Sequence, residues 1–401
     1  MPSIARPQRL IPLLAALVAF SPLSIDTYLP SLPLIARNLG AAASDVQMTI
    51  SVFLVGLCLG MLGYGPLSDR FGRRYLLIGG ILLYLLASIG CLVAGSVMQL
   101  ILWRFIQALG GAAAAVLARA IVRDLFPLTE AARVLSLMHL VTMFATLLAP
   151  LLGSLLADMA GWRSIFAGLF GFASICLLAV ALRIPETHPA DHRGRSVAAA
   201  FRAYWSIAMD ARAIGYLLCM GLSFGGMFAF ITASPFVYIE FFGVSAHGYA
   251  WLFSMNIGGI ILMTWLNARL VERLGLQRML GLGSSSALLA GIGLLICGHT
   301  GLGGLPAIAS CMFAYVSVTG LLGANCVASL LALFPRQAGA AAGLAVAGQF
   351  AIGAGLSALV GTLANGTPLA MCAVVGGAGI GCFLAFLMLR AGNSRQLAEA
   401  A

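Results

Sequence analysis

Asp26 lies in LVAFSPLSIDTYLPSLP, about 16 residues into an apolar stretch that opens near Leu10. If that stretch crosses a bilayer, a charge at its centre costs about 2.5–3.5 kcal/mol even on lenient insertion scales. A carboxyl taken out of water can take up a proton and release it when its solvation changes. Arg104 is the matching base, in LWRFIQALGGAA within the fourth apolar stretch. At 1.5 Å per residue, Asp26 is roughly 24 Å from the start of its segment and Arg104 roughly 9 Å from the far edge of its own. In a hydrocarbon core of about 30 Å the two share one depth. That spacing predicts a pair that neutralises itself, directly or through water, with proton binding and release as its chemistry. The alternative is a static pair that only ties the first segment to the fourth.

The elements that must hold these residues follow from composition. Of 401 residues, 61% are hydrophobic and 8% charged, where a soluble chain carries roughly a quarter charged. Twelve apolar spans are expected near 10–33, 47–67, 75–95, 98–122, 134–157, 162–183, 213–239, 248–270, 278–298, 302–333, 338–363 and 368–390. No alternating pattern of a β-barrel is present, so the fold class is all-α and polytopic. The first span follows Arg6 and Arg9, yet its length and the eleven spans after it argue against a cleaved signal peptide.

All 22 basic residues are arginine. With the N-terminus inside, 19 fall on the cytoplasmic side, Arg37 and Arg163 fall outside, and Arg104 lies within the membrane. Both termini are therefore expected in the cytoplasm. The net charge of +10 fits this topology and anionic lipid, and it does not point to nucleic acid. The nine cysteines fall in spans without a C-x-x-C pair and read as packing residues, so no metal site is expected. His139 near the inner end of the fifth span reads as a packing residue, and His188 and His192 lie in the central loop.

The one long polar stretch divides the chain into spans 1–6 over residues 1–183, a central loop 184–212, and spans 7–12 over 213–401. LSDRFGRRYLL at 67–77 aligns without gaps with LVERLGLQRML at 270–280, matching Asp69 to Glu272 and Gly72 to Gly275. Such six-helix repeats are an architecture of rocker-switch transporters. In the same register Asp26 maps to Ala229 and Arg104 to Ala307, so only the first half carries buried charge.

Several motifs carry a family resemblance. GPLSDRFGRR at 65–74 resembles the signature loop of the major facilitator superfamily, LWRFIQALGGAA at 102–113 the helix-4 motif of its drug–proton antiporters, and APLLG at 149–153 their helix-5 motif, with Ala149 in place of a usual Gly. SIDTYLPSLP at 24–33 and SFGGMFAFITASPFVYIE at 223–240 are similar to the bicyclomycin-resistance branch. The resemblance implies two six-helix bundles, alternating access, a proton gradient in place of any cofactor, and an inner-membrane monomer. It places the antiporter motif at Pro150 and Gly153, which would pack helix 5 on its pseudo-symmetric partner, helix 11. Some drug–proton antiporters have a second acid two turns before the Asp26 position; Val18 stands there, which puts two-proton coupling in doubt.

Around the loop, Gly65 and Gly72 permit a tight turn bearing Asp69, Arg70, Arg73 and Arg74. Part of that pattern is topology signal. The functional reading is a gate in which Asp69 pairs with Arg119 or Arg123, or faces a helix N-terminus. A drug pocket should be mostly apolar with few polar fixings. Its candidates are Tyr28, Gln107, Met227, Phe230, Tyr238, Asn256, Gln349 and Phe350, though for any single one lipid facing or helix packing is the default reading. Pairs such as Gly56/Gly60 and Gly221/Gly225 allow close helix approach.

The leading expectation is proton-coupled export of small amphipathic antibiotics of the bicyclomycin or chloramphenicol type. A metabolite exporter, uptake symporter or facilitator of the same fold is the alternative. An enzyme would need a cluster of catalytic or metal-ligating groups, and one buried acid with one buried arginine does not make one. No Walker-type nucleotide loop is present.

Overall fold

The computed structural model describes residues 7–188 and 197–399. Arg6, His192, Arg193 and Arg195 lie outside the described residues. Twelve helices are long and apolar enough to cross a membrane. We number them α1 (Pro7–Leu39), α2 (Ala43–Phe71), α3 (Arg73–Val93), α4 (Val97–Leu125), α5 (Glu130–Ala160), α6 (Arg163–Arg183), α7 (Ala211–Phe241), α8 (Ala246–Leu274), α9 (Leu276–Thr300), α10 (Gly304–Leu333), α11 (Pro335–Thr362) and α12 (Leu369–Ala391). Each overlaps an expected span, and most run several residues past the apolar core at one end or both. Among the described residues there is no strand. The protein is a multi-pass membrane protein of two six-helix bundles.

The chain divides into two compact units, Met1–Ala200 and Phe201–Ala401. In the first, α4 packs along both α2 and α3. In the second, α7 packs on α11 and α12, and α9 on α12. The expected Gly56/Gly60 pair is the α2–α4 contact, where Gly56 lies against Ala108 and Gly60 against Ala112. Gly221 and Gly225 receive Ile352 of α11 in the same manner. A surface helix, Val197–Ala208, buries Ile207 and leaves Phe201 and Trp205 exposed.

The internal repeat reaches the helix boundaries. Ala43 maps to Ala246, Phe71 to Leu274 and Gly72 to Gly275, every pair at one offset. Gly72 (φ 97°, ψ 158°) and Gly275 (φ 80°, ψ 157°) both adopt a conformation nearly closed to other residues, and each joins two helices with a single-residue turn.

Prolines remove a helical donor at two points that matter for the site. Pro30 has no N–H for the Asp26 carbonyl, so α1 breaks into a regular stretch ending at Asp26 and a tight 3₁₀ turn over Leu29–Ser31. Within the break the Tyr28 N–H turns to the Ile25 carbonyl, 3.2 Å away, which leaves the Ser24 carbonyl free for a side chain. Pro150 likewise has no N–H to offer the Thr146 carbonyl, one turn back in α5. All nine cysteines are free, and Cys219 and Cys382 approach to 3.8 Å between α7 and α12.

Candidate functional site

Asp26 ends the regular first part of α1 and is 4% exposed. The Thr146 hydroxyl of α5 is the polar group set against its carboxyl, one turn before Pro150 within that helix. Gly153 lies on the same contact. A Cβ there would collide with the Thr27 carbonyl, so only glycine lets α5 approach the broken stretch of α1. Pro150 and Gly153 thus hold Thr146 against Asp26: the structure puts this motif on α1.

Arg104 is wholly buried on α4. Its Nη1 donates to the freed Ser24 carbonyl at 3.0 Å and to Gln107 Oε1 at 2.8 Å. Its guanidinium lies 4.1 Å from the ring centroid of Phe53 and 4.7 Å from that of Tyr28, within cation–π range. Nε and Nη2 have no hydrogen-bond partner among the described residues.

The direct form of the expected Asp26–Arg104 pair is absent: among the described residues no ion pair joins them. The depth arithmetic was sound, because Arg104 reaches α1 only two residues from Asp26. The face was not. Two residues along a helix turn a side chain by about 200°. Ser24 and Tyr28 face α2, α3 and α4, through Tyr84 at 2.6 Å and Thr49 at 3.1 Å. Asp26 between them faces α5.

At the Gly72 turn the expected partners of Asp69 are also replaced. Asp69 pairs with Arg73 at 2.6 Å, not with Arg119 or Arg123. Arg73 reaches on to Asp124 at the end of α4, 3.2 Å away, and to the Ser68 hydroxyl. The carboxylate facing a helix N-terminus is Glu186, which accepts the N–H groups of Arg73 at 2.8 Å and Arg74 at 3.3 Å. An anion there complements the first turn of α3. Thr187 donates to Asp124 at 3.0 Å, so the end of α6 is stitched to α3 and α4. Arg70 is exposed and lies over Phe71. Gly65 has open space where a Cβ would project, and no special conformation marks it.

The profile of the Major Facilitator Superfamily matches residues 14–358. The chain belongs to the major facilitator superfamily. It is 33% identical over 390 residues to a bicyclomycin resistance protein homolog of Haemophilus influenzae, covering 96% of each chain. It is 33% identical over 282 residues to a chloramphenicol resistance protein of Pseudomonas aeruginosa, covering 69% of this chain and 63% of that one. Among solved structures, a D-xylose–proton symporter superposes with TM-score 0.75 at 19% identity, covering 96% and 97% of the two chains. That last likeness speaks for the fold alone. Superfamily membership makes the protein a transporter and not an enzyme, and its sequence groups it with the bicyclomycin-resistance branch.

The superfamily fold distributes the pocket candidates unevenly. Tyr28 and Gln107 are enclosed in the first unit with their polar ends occupied: Tyr28 on Thr49, Gln107 between Arg104 and Ser88. Met227 meets the Thr319 hydroxyl at 3.8 Å. Phe350 joins Phe224 and Phe228 in an aromatic group on α7 and α11, and Gln349 lies half-buried beside Gly323. Phe230, Tyr238 and Phe253 form another group at the far end of α7. Tyr238 and Asn256 line a pocket of about 250 Å³ with Leu252, Met255 and Phe313.

Sequence reasoning missed Thr146, Ser24, Asp124 and Glu186. One signal was present for Thr146: it is four residues before a proline within an apolar span, where the helix loses one backbone donor. Nothing in the local sequence sets Asp124 and Glu186 apart from other acids near helix ends.

Proposed function

We propose that this transporter exports small amphipathic antibiotics in exchange for protons, with Asp26 as the proton-carrying group. The observation that carries the reading is the company Asp26 keeps. A buried ionisable group in a membrane span is a functional candidate by default. Here its partner is a hydroxyl and not a cation. A hydroxyl can donate to a carboxylate and can accept from a protonated carboxyl. The Asp26–Thr146 contact therefore survives both charge states, whereas a tight ion pair with Arg104 would favour only one. The names of the two resistance relatives support the substrate class.

In this reading Asp26 takes a proton when open to the outer side and gives it up when drug and water reach it from the inner side. Arg104 holds α1 at its break through Ser24, so the geometry of Asp26 depends on it without a shared proton. The loop around Gly72 acts as the inner gate, built on Asp69, Arg73, Asp124 and Glu186. The arginine distribution supports an inner-membrane location with both termini inside. We take the protein to work as a monomer, driven by the proton gradient alone.

The test uses purified protein in liposomes with an acidic interior. Chloramphenicol- and bicyclomycin-type compounds are added, and proton efflux is followed with a pH-sensitive dye. Wild type should release protons on compound addition, and Asp26→Asn should not. Compound-driven flux that persists in Asp26→Asn would remove Asp26 as the carrier. Counterflow of a solute without any proton movement would favour a facilitator.

A further inference from the structure

The pocket within the second unit has a chemistry of its own. It lies between α7, α8 and α10, at the ends of those helices opposite the Gly275 turn. Leu252, Met255 and Phe313 give it apolar walls. Two residues that line the pocket carry a buried polar atom without a partner among the described residues: the Tyr238 hydroxyl, on a residue 1% exposed, and Asn256 Oδ1, on a residue 5% exposed. The orientation of Asn256 follows from its other contact. The Leu252 carbonyl only accepts, so the amide nitrogen that bonds it at 2.9 Å leaves the oxygen unpartnered. Ser310, also in the wall, already bonds the Pro306 carbonyl at 2.8 Å.

Tyr238 belongs to a π-helical turn, Phe236–Phe241, that follows Pro235 directly. Such widened turns frequently mark functional sites. Its ring is braced by Phe230 at 6.0 Å and Tyr249 at 6.2 Å, which fixes its direction. An unpaired buried donor and acceptor each carry a desolvation penalty that a ligand could relieve. Among the described residues no carboxylate or amine lines the space. A volume of about 250 Å³ is below the ~300–1,000 Å³ of whole-drug sites, so it suits one ring and its immediate substituent.

From this geometry we infer that the pocket is a substrate subsite for neutral compounds, taking an apolar ring whose adjoining amide or hydroxyl accepts from Tyr238 and donates to Asn256. The inference rests on the export reading and specifies which part of a substrate the second unit holds. The pocket offers a cationic substrate no carboxylate to pair with.

The experiment measures binding of radiolabelled chloramphenicol, which has a ring, a secondary amide and hydroxyls, to the full-length protein by equilibrium dialysis. Tyr238→Phe and Asn256→Leu should each weaken binding about five- to ten-fold, the loss of one hydrogen bond. Ala309 also lines the pocket, and Ala309→Leu, which fills the space, should weaken binding further. Tyr249→Phe is the control, because that hydroxyl bonds Ser234 and not the pocket. It should bind like wild type. Each variant is first checked for an unchanged elution profile and melting midpoint.

Wild-type affinity in all three pocket variants would overturn the subsite, and if wild type still exchanges protons for compound the export reading stands. Equal weakening in the control would also overturn it, since the effect would then be a general loosening of the second unit. Conversely, the expected pattern of binding without compound-driven proton flux would uphold the pocket and defeat the export reading.

Discussion

A guanidinium enclosed by Phe53, Tyr28 and Phe166 has little water to turn to, so each hydrogen bond it makes counts for more than on a surface. Gln107→Leu removes the acceptor 2.8 Å from Arg104 and also the donor to Ser88. Leaving such buried groups unmatched costs about 1–3 kcal/mol. The expected outcome is a fall of several degrees in the melting midpoint, read by scanning fluorimetry of detergent-purified protein. An unchanged midpoint would mean that the aromatic rings alone hold Arg104. Thr146→Val keeps the shape of the side chain but strips Asp26 of its hydroxyl partner. It should slow compound-driven proton exchange several-fold in liposomes, while Thr146→Ser should restore it. Equal rates in Thr146→Val and wild type would leave Asp26 without any need of that contact.

At the scale of elements, the informative contact is α5 on the broken part of α1. Gly153→Ala sets a methyl group against the Thr27 backbone, which cannot rotate aside as a side chain could. Overpacking of this kind costs roughly 1–3 kcal/mol. We expect Gly153→Ala to lower the melting midpoint and to abolish exchange, with Gly161→Ser, which meets open space but keeps a positive φ, giving the milder loss. If transport were normal in Gly153→Ala, α5 would have to shift freely along α1. The helix ends were partly legible in the sequence: Gly72 and Gly275 announced their turns. The partners at those turns were not, because Asp69 had several arginines within reach and only the path of α4 decides which side chain Arg73 meets.

For the whole molecule, the repeat holds one offset in backbone through α2, α8 and the turns that end them, and is broken in charge. Gly275 reproduces Gly72, but Arg73 maps to Leu276, Asp124 to Val327 and Glu186 to Leu389. Both turns carry charge, but the network of Arg73, Asp124 and Glu186 is a property of the first unit alone. Glu186→Ala should therefore destabilise through α3, by about 0.3–1 kcal/mol for the lost helix-end charge plus the two unmatched N–H groups, while Glu272→Ala at the end of α8 should be nearly silent in the same melting assay. Topology is checked with reporters. Alkaline phosphatase should be inactive when inserted in the 184–212 segment and active after Gly95. The opposite pattern would invert the arginine argument.

By itself the sequence determined the class, the twelve spans, the repeat and the residues worth suspecting. Burial of a continuous apolar stretch leaves the backbone little choice but a helix, and rare polar residues in such stretches stand out. It determined depth too, since rise per residue is fixed. What it could not determine was azimuth. Whether Asp26 faces Arg104 or Thr146 depends on how α1 is rotated after Pro30 frees its backbone and on how closely Gly153 admits α5. Those are consequences of packing between segments more than a hundred residues apart, and only the tertiary structure decides them.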